Sequence, residues 1–423
     1  MRILHTVESY LPLRHGMQEV VSQLSERLAK KGHEVIVATS FHPDRKEAMI
    51  NGVRVESFRI SGNMVNGYGG EEGERQRYQE FLCGGGFDVV VNFAAQQWAT
   101  DLTFPVLDDI KSKKVLVPTG FSGLYLEKYR DYFLRMPSWM RQYEMNVFLS
   151  DTYRDARFAD EHHIENRTLI PNGASEEEFC VEYPFSIRER LGISKETFLI
   201  ILVGSHTGMK GHKEAVEIFD RAGIRDALLL IVSNHVRLPR HDHLSWKERV
   251  VKGMRYAHHL LRNECPDFCT TAEQRYNNKK TWRANSKSLF IREFSREETV
   301  RAYQEADLFL FPSRVECSPI VLFEAAASRT PFLSTDVGNA AEIAQWTGCG
   351  SILPTMNDAK GYAHADIEGA AKMLKELWCG RERRKEMADA GHAAWRERFT
   401  WSNIANQYDL LYRKLCGGGD AHS

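Results

Sequence analysis

Short apolar runs alternate with amphipathic stretches along most of the chain. Each run is rich in β-branched or aromatic residues, which predicts a buried strand. Seven strands are predicted in the first part of the chain: Ile3–Val7, Glu34–Thr39, Val53–Phe58, Phe87–Phe93, Lys114–Pro118, Asn146–Ser150 and Arg167–Ile170. Between the first two, Met17–Lys31 has apolar residues at helical spacing and is followed by Gly32, which predicts a helix and its end.

The same alternation restarts in the second part of the chain. Five strands are predicted there: Phe198–Val203, Ala227–Val232, Ser288–Ile291, Asp307–Phe311 and Pro331–Thr335. Helices are predicted over Lys210–Ala222 and Arg296–Glu305, and another from Pro319. Strands that alternate with helices are typical of α/β proteins with doubly wound parallel sheets, so this fold class is expected.

A stretch rich in turn residues and acidic charge, Pro171–Phe185, interrupts the pattern and resembles a linker. It predicts two Rossmann-like domains, an N-terminal one over residues 1–177 and a C-terminal one over 178–399. The helical pattern of Trp401–Leu415 has no strand after it. We therefore expect a terminal helix, residues 400–416, that docks against another part of the fold.

The alternation also fails over residues 235–287, where a helical insertion is predicted. Twelve basic residues stand there against five acidic ones. A solvated helical face accounts for such a composition, and so does a surface for an anionic acceptor or for phospholipid headgroups.

Composition narrows the functional classes. The 423 residues are 43% hydrophobic and 27% charged, which excludes a disordered or fibrous chain. With 56 Lys and Arg against 57 Asp and Glu, no global charge favours nucleic acid or an anionic bilayer. The longest apolar runs are too short to span a membrane. A cytoplasmic protein is expected.

The eight cysteines are scattered over the chain, which favours reduced thiols over a disulfide framework. Cys265 and Cys269 follow His258 and His259, but this spacing matches no compact zinc site. No metal site is therefore predicted.

The segment after the predicted strand Asp307–Phe311 carries the most informative chemistry. Ser318 suits an N-cap and Pro319 the first position of a helix, whose free N–H groups favour a phosphate. Glu316 precedes the cap, and Glu324 lies on the second turn of the helix. One carboxylate could bind a sugar hydroxyl and the other a ribose diol; alternatively, both are ordinary surface charges.

Two further strand-to-helix loops are candidates for phosphate or sugar binding. The loop from Gly204 to Gly211 brings Lys210 to the start of a helix, where its ammonium could meet a diphosphate. The loop matches neither the dinucleotide fingerprint nor the Walker loop. Alternatively, Lys210 is an ordinary surface lysine. In the first domain, Gly16 could allow close approach to a ligand, although a simple turn explains it equally well.

Taken together, these residues resemble the GT-B glycosyltransferases, most closely glycosyltransferase family 4. The resemblance covers most of the chain, and its most specific signal is the pair Glu316 and Glu324, which are separated by seven intervening residues. The other matching segments are KKGHEVIVATS (residues 30–40), the PNG turn at 171–173, the loop 204–211, ADLFLFPS (residues 306–313), and Gly338, Asn339 and Glu342.

The resemblance implies a retaining, metal-independent enzyme that transfers a hexose-type sugar from a nucleotide diphosphate sugar, with UDP favoured. The acceptor would be a carbohydrate or a lipid-linked glycan, and no cofactor is implied. The C-terminal domain would bind the donor and the N-terminal domain the acceptor, in a GT-B architecture in which the two face each other across a cleft. The terminal helix, residues 400–416, would complete the N-terminal domain.

Individual roles follow from the same resemblance. Lys210 would neutralise the departing diphosphate, Glu324 would hold the ribose, and the base would lie near Ile291–Phe294. Glu316 would hold the transferred sugar together with the backbone of the next residues, and Lys210 and Glu316 are the expected catalytic pair. The implied donor-binding set is Gly16, Gly204, His206, Lys210, Glu316, Cys317, Ser318, Pro319, Ile320 and Glu324.

The chain departs from the family pattern at two places. Ser205, followed by His206, stands where the family usually has an Arg, and Asn92 and Gln96 stand near the position of a usual His. His206 or a basic residue of the insertion could replace the Arg. Two alternatives therefore stay open: a non-catalytic GT-B subunit that binds a sugar or a partner enzyme, and another reaction on the same fold, such as phosphorolysis or epimerisation.

The segment Tyr125–Arg141 mixes aromatic and basic residues. Such a mixture is found in helices at a membrane interface and in acceptor-domain helices, of which we favour the second. Peripheral contact with the inner face of a membrane is the corresponding alternative.

Overall fold

The computed structural model describes residues 1–13, 15–233 and 265–417, which form two compact units. Unit 1 comprises residues 1–175, 317–320 and 398 to the end of the described chain, and unit 2 comprises residues 176–316 and 321–397. Residues 234–264, which hold the first part of the predicted basic insertion, lie outside the described residues.

Unit 1 is built on a sheet of eight strands. In chain order, its strands and those of a small hairpin are β1 (Arg2–Thr6), β2 (Glu34–Ser40), β3 (Met49–Ile50), β4 (Val53–Phe58), β5 (Ile60–Asn63), β6 (Gly67–Gly70), β7 (Val89–Phe93), β8 (Lys113–Val117), β9 (Met145–Phe148) and β10 (Arg167–Leu169). The sheet order is β10-β9-β8-β7-β1-β2-β4-β3, and β5 pairs with β6. All neighbours in the large sheet run parallel except β3, which turns back antiparallel onto β4.

Five α-helices connect these strands: α1 (Gly16–Lys30), α2 (Glu74–Gly84), α3 (Trp98–Asp101), α4 (Arg130–Gln142) and α5 (Arg154–Glu161). Helix α1 buries Val20, Val21, Leu24 and Leu28 against β1, β2 and β7, as the helical spacing predicts. Each of the seven predicted strands is present, with ends that differ by one or two residues. The hairpin β5–β6 was not predicted, because its Gly-rich residues carry little apolar periodicity.

Unit 2 is built on a second parallel sheet. Its strands are β11 (Phe198–Val203), β12 (Ala227–Val232), β13 (Lys287–Arg292), β14 (Leu308–Phe311), β15 (Phe332–Ser334) and β16 (Gly350–Ile352), with a hairpin of β17 (Thr355–Asn357) and β18 (Ala363–Ala365). The sheet order is β13-β12-β11-β14-β15-β16, and all its neighbours run parallel. The chain order thus reverses between β11 and β14, which is the arrangement of a doubly wound sheet.

The helices of unit 2 are α6 (Glu176–Phe179), α7 (Ile187–Leu191), α8 (His212–Arg221), α9 (Cys265–Asn277), α10 (Lys280–Ala284), α11 (Arg296–Glu305), α12 (Ile320–Ala327), α13 (Ala340–Thr347), α14 (Ile367–Cys379) and α15 (Arg381–Ala394). One core packs α8, α9, α10, α14 and α15 against the sheet, and Trp282 of α10 is fully buried in it beside Phe219. The described part of the insertion is therefore helical, as predicted, and it contributes to the core.

Lys287, at the approximate end predicted for the insertion, is the first residue of β13. Its side chain is buried, and its ammonium donates to the carbonyl oxygen of Phe219 and lies over the Phe219 ring. Burial lowers the pKa of Lys287 to about 8. The sequence marked this residue as one more surface cation, whereas it is part of the packed sheet edge.

The terminal helix α16 (Trp401–Leu415) has the predicted bounds and packs in unit 1. Asp409 of this helix lies 2.9 Å from His33 Nε2, and the Tyr412 hydroxyl lies 3.4 Å from His5 Nε2. His5 is fully buried, and burial lowers its pKa to about 3. The terminal helix, which has no strand after it in the sequence, thus packs against α1 and β1.

The PNG turn connects unit 1 to the start of this terminal helix. The Ala174 N–H donates to the carbonyl oxygen of Phe399 over 3.0 Å, and Ala174 forms an isolated bridge with Thr400. A Cβ on Gly173 would lie 2.3 Å from the Phe399 carbonyl oxygen. Only glycine permits this approach, which gives a structural reason for the third residue of the turn.

No helix within the described residues is both long and apolar enough to cross a membrane.

Candidate functional site

The candidate site of unit 2 lies where its sheet changes direction. Strands β11 and β14 are neighbours, and the chain leaves their carboxyl ends in two loops, residues 204–211 and 312–319. In open α/β sheets, ligands bind at this reversal of strand order. Both loops that the sequence singled out therefore leave the sheet at the position where a ligand is expected.

These two loops bring Lys210 and Glu316 together. The Lys210 ammonium lies 2.6 Å from Glu316 Oε1, and the Ser313 hydroxyl donates to the same oxygen over 2.7 Å. The side chains of Lys210 and Glu316 are 27% and 13% exposed, so the pair is sheltered but reachable from solvent. The structure thus joins the two residues that were predicted to be catalytic, although they are 106 positions apart.

Glycines set the close packing of the two loops. Gly211 has a φ of +70°, and a Cβ there would lie 1.9 Å from the Pro312 carbonyl oxygen. A Cβ on Gly204 would lie 2.9 Å from Cβ and Cγ of Lys210. A side chain at either glycine would therefore push the first loop away from the second, or displace Lys210 itself.

Hydrogen bonds fix the same arrangement. The Met209 carbonyl oxygen accepts from the Arg314 N–H over 2.8 Å and from the Ser313 hydroxyl over 3.1 Å. Arg314 in turn donates from Nε to Glu214, on the first turn of α8, over 2.8 Å. The position of Lys210 is thus determined by backbone and side-chain bonds on both of its sides.

The helix that follows Glu316, α12, starts later than the sequence predicts. Helix α12 begins at Ile320 rather than at Pro319, and Ser318 does not cap it. The Ser318 hydroxyl is buried without a hydrogen-bond partner among the described residues. Its carbonyl oxygen accepts from the Asn172 side chain over 3.1 Å, which shows that tertiary contacts with the PNG turn, and not capping, determine this segment.

Residues Cys317, Ser318, Pro319 and Ile320 cluster with unit 1. Cys317 and Ile320 pack against the core formed by β1, α1 and α16. Gly120, with a φ of +94°, leaves room for Cys317, because a Cβ there would lie 2.8 Å from the Cys317 sulfur. The sequence placed this segment wholly in the C-terminal domain, but its side chains belong to the other core.

Glu324 lies in a buried ion-pair network of unit 2. Its carboxylate lies 2.6 Å from the guanidinium of Arg296, at the start of α11, and its side chain is 6% exposed. Arg296 also binds Glu178 through two bonds, from Nε over 2.9 Å and from Nη2 over 2.7 Å. Burial alone would lower the pKa of Arg296, but Glu324 and Glu178 outweigh it and raise that pKa above its ordinary value.

Sequence reasoning missed Arg296 and Glu178. Arg296 was simply the first residue of a predicted helix, and Glu178 one of three consecutive acidic residues in a linker-like stretch. The one available signal was indirect, since a carboxylate on the buried side of a helix needs a cation. That argument predicts a partner for Glu324 but does not identify it.

Three further predicted positions are His206, Gly16 and Ile291. The ring of His206 lies 4.9 Å from that of His212, at the start of α8. Gly16 is the first residue of α1 in unit 1, and a Cβ there would meet no atom within 4 Å. In the expected base region, the Ile291 N–H already donates to Glu273 over 3.3 Å.

The two residues near the usual family His have structural partners. The amide of Asn92 donates to Thr6 over 2.7 Å and accepts from the Tyr143 hydroxyl over 2.9 Å, in the interior of unit 1. Gln96, with a φ of +66°, accepts from the Gly123 N–H over 3.0 Å through its side-chain oxygen. Asn92 is thus a core residue, and Gln96 closes a surface loop.

A sequence comparison with known protein families gives a match in the second half of the chain. Residues 270–391 match the family of glycosyl transferases group 1. A stretch of 129 residues is 33% identical to D-inositol 3-phosphate glycosyltransferase of Corynebacterium urealyticum, over 30% of this chain and 27% of that protein. The match therefore spans about a quarter of the length of this relative.

Solved structures match over nearly the whole chain. Sucrose-phosphate synthase from Thermosynechococcus elongatus is 16% identical with a TM-score of 0.70, and the alignment covers 99% of this chain and 100% of that one. HepE from Anabaena, in complex with UDP, is 13% identical with a TM-score of 0.69, over 98% and 100% of the two chains. These likenesses confirm the expected fold class. The chain thus has the GT-B fold, and its residues 270–391 match the glycosyl transferases group 1 family.

Proposed function

We propose that the protein is a glycosyltransferase that moves a hexose-type sugar from a nucleotide diphosphate sugar to a carbohydrate or lipid-linked glycan acceptor, in the biosynthesis of a glycan or polysaccharide. The observation that carries this proposal is the Lys210–Glu316 pair at the strand reversal of unit 2. A sheltered ammonium at this position is suited to the diphosphate of a donor. The match of residues 270–391 supports the same class of reaction.

The proposed chemistry follows the charges that develop during transfer. As the glycosidic bond to the diphosphate breaks, positive charge grows on the sugar and negative charge on the leaving oxygens. Lys210 stabilises the leaving diphosphate, and because its ammonium is already held in place, little reorganisation is needed at the moment of reaction. Glu316 orients the ammonium before the donor binds, and then accepts from a hydroxyl of the transferred sugar.

We further propose that transfer retains the configuration of the donor and needs no metal at the diphosphate. The acceptor attacks on the face that the diphosphate leaves, and a leaving phosphate oxygen takes the acceptor proton. The new glycosidic bond forms as the sugar–phosphate bond breaks, so no charge is left unbalanced. Lys210 supplies the positive charge that a Mg²⁺ ion would otherwise bring to the diphosphate.

We propose a UDP-sugar as the donor, which unit 2 binds, while unit 1 binds the acceptor. The structure of HepE with bound UDP supports the choice of nucleotide. In this proposal Glu324 holds the ribose, and the backbone of residues 317–320, which follows Glu316 in the chain, holds the sugar. Because Glu324 is already bound to Arg296, the ribose would share that carboxylate rather than replace the cation.

Helix α4 of unit 1 supports a peripheral membrane contact for a lipid-linked acceptor. One face of the helix is buried through Tyr132, Phe133 and Met136, while Leu134 on the other face is 70% exposed, near several arginines. Sedimentation with vesicles that contain anionic lipid is expected to capture the protein and to fail with Leu134→Glu. Equal binding of both proteins would refute this contact and leave the transferase proposal untouched.

The central experiment supplies UDP-, GDP- and ADP-sugars with candidate acceptors and measures release of the nucleoside diphosphate. We expect release from a UDP-sugar, and NMR of the product is expected to show the anomeric configuration of the donor. Added Mg²⁺ or Mn²⁺ should leave the rate unchanged. If no donor is consumed with any acceptor extract, the transferase proposal fails.

The exposed Ser205, which stands where the family usually has an Arg, favours one second candidate: a non-catalytic subunit that binds a sugar or a partner enzyme. Calorimetry separates the two candidates. A catalyst binds UDP with measurable heat, whereas a subunit of this kind would bind its partner and give no heat with any nucleotide.

A further inference from the structure

Three side chains with metal-binding atoms converge in unit 2. They are His206, His212 and Cys269, and one ligand atom from each lies within 4.8 Å of those of the other two. His206 comes from the loop after β11, His212 begins α8, and Cys269 lies on α9. This cluster is separate in role from the Lys210–Glu316 pair, although its first member stands on the same loop as Lys210.

The spacing within the cluster fits a tetrahedral zinc ion. Zn–S bonds of about 2.3 Å and Zn–N bonds of about 2.0–2.1 Å place tetrahedral S and N ligands about 3.6 Å apart. Cys269 Sγ and His212 Nδ1 are 3.5 Å apart. The two remaining separations both involve His206 and are at most 4.8 Å, so a shift of about 1 Å in that one side chain suffices to close them around an ion.

The framework holds the two buried ligands in place before any ion arrives. Gly211, with its positive φ, precedes His212 and fixes the start of α8. One turn after Cys269, Glu273 binds Arg292 of β13 over 3.1 Å and accepts from the Ile291 N–H. His212 and Cys269 are buried, whereas His206 is half-buried, which leaves the loop side of the cluster as the entry path.

We propose that His206, His212 and Cys269 form a three-ligand zinc site, with a water molecule in the fourth position. Imidazole and thiolate are ligands that suit Zn²⁺, and three protein ligands with one open position are typical of open zinc sites. A thiolate also supplies negative charge that offsets the positive end of α8. Bound zinc would join α9 to the loop that carries Lys210.

This site differs from what the sequence indicated. Cys265 and Cys269, with His258 and His259, matched no compact zinc pattern, so no metal was expected. The partners of Cys269 are instead histidines some 57 and 63 positions earlier in the chain. The proposal does not depend on the transferase function, because metal binding can be measured without donor or acceptor.

Two other arrangements of the same residues compete with the proposal. Without metal, the Cys269 thiol would make a weak hydrogen bond to His212, and the cluster would be an ordinary part of the core. If His206 binds the donor diphosphate, as the sequence suggested, it cannot complete the zinc site at the same time. Both alternatives predict that the chain does not bind a metal ion through Cys269.

The test uses the full chain, first with Zn²⁺ and then with Co²⁺ as a spectroscopic probe. Equilibrium dialysis is expected to give one tightly bound Zn²⁺ per chain. Co²⁺ is expected to show the near-ultraviolet charge-transfer band of a thiolate ligand together with the intense visible bands of tetrahedral coordination. Cys269→Ser should abolish the charge-transfer band, and His206→Asn should weaken Zn²⁺ binding at least tenfold.

Matched variants separate this site from other cysteines and histidines. Cys180→Ser, at an exposed free cysteine, and the double variant His258→Asn/His259→Asn are expected to keep both the stoichiometry and the Co²⁺ spectrum. His206→Asn changes a half-buried loop residue, so its circular dichroism should match the wild type. Zinc binding of wild-type strength in both Cys269→Ser and His206→Asn would overturn the proposal, as would no zinc binding by the wild type.

Thermal unfolding gives a second readout. A ligand that binds only the folded chain raises the unfolding midpoint in proportion to the logarithm of its concentration. Zn²⁺ should therefore raise the midpoint of the wild type by several degrees and that of Cys180→Ser equally, and leave Cys269→Ser unchanged. An equal rise in Cys269→Ser would assign the bound zinc to other residues and refute the site.

Discussion

Glu316 and Glu324, which are separated by seven intervening residues, have opposite environments in the same unit. Glu316 accepts from Lys210 and Ser313 in a pair that remains partly open to solvent. Glu324 is nearly inaccessible and is held by Arg296, which Glu178 also binds. A partly open ion pair can exchange one partner for a ligand at small cost, whereas breaking a buried one leaves a charge unpaired. The comparison therefore favours the first pair for exchange of a partner with the donor, and the second pair for stability and for a ribose contact that leaves Arg296 in place.

The largest expected effect is on turnover, through Lys210→Met, which removes the charge and keeps most of the aliphatic stem. We expect kcat/KM with a UDP-sugar to fall about 10²- to 10³-fold, as is typical when a group that stabilises developing charge is removed. Steady-state kinetics of nucleotide release measure it.

The matched control is Lys213→Met, three residues further along at an exposed position of α8. It removes the same charge from the same unit and should leave kcat/KM within twofold of the wild type. Equal losses in the two variants would mean that overall charge, and not the position of Lys210, controls the reaction.

The next largest effect that we expect is a loss of stability in the variant Arg296→Met. Loss of the guanidinium leaves the buried Glu324 carboxylate without its cation, so the free energy of unfolding should fall by about 3 kcal/mol. The double variant Arg296→Met/Glu324→Gln should recover part of this loss, because no buried charge then remains. Denaturant unfolding of the single and double variants measures both values.

The control for this loss is Arg329→Met, which breaks an ion pair with Asp389 in which both side chains are 55% exposed. Its free energy of unfolding should change by less than about 1 kcal/mol. A loss as large as that of Arg296→Met would remove the contrast between buried and exposed pairs.

A smaller effect is expected from Gly211→Ala, which tests how the loop positions Lys210. Gly211→Ala adds a Cβ at a positive φ and directly against the Pro312 carbonyl oxygen, so we expect a destabilisation of about 2 kcal/mol together with reduced kcat. Chemical unfolding and kinetics on the same sample measure both.

The control Gly361→Ala separates the effect of a positive φ from the effect of steric contact with Pro312. Gly361 also has a positive φ, of +77°, but a Cβ there would meet no atom within 4 Å. About 1 kcal/mol of destabilisation with unchanged kcat is expected. If the two alanine variants behaved alike, contact with Pro312 would have no role in placing the loop.

The smallest effect is the contribution of Lys210 to stability. Lys210→Met should change the free energy of unfolding by less than about 1 kcal/mol, because its ion pair is partly exposed to solvent. Unfolding at low and high salt measures it. A loss as large as that of Arg296→Met would show that Lys210 stabilises the fold, and the division between the two pairs would fail.

The elements that the sequence predicts well are those with strong local patterns. Strands β11 and β12, helix α11 and the terminal helix have the predicted bounds, because apolar periodicity and caps are local properties. Helix α12 begins one residue after the predicted start, and the bond from Asn172 to the Ser318 carbonyl oxygen beside it comes from a distant part of the chain. A capping rule that considers only neighbours cannot include such a partner.

The candidate site also has features that the sequence predicts and features that it does not. Residue types suited to a diphosphate and a sugar are visible in the loops around Lys210 and Glu316, because these loops follow predicted strands. The contact between the two residues is not visible, and neither is Arg296 as the partner of Glu324. The convergence of His206, His212 and Cys269 was also invisible, since the side chains come from three separate elements.

The amino-acid sequence by itself determined the alternation of strands and helices, the division into two α/β units and the loops with candidate chemistry, because these depend on nearest neighbours and short periods. Tertiary structure decided which charges meet, which are buried, and which unit surrounds residues 317–320. Those outcomes depend on strand order and on close backbone approaches at glycines, which join residues that are distant in the chain.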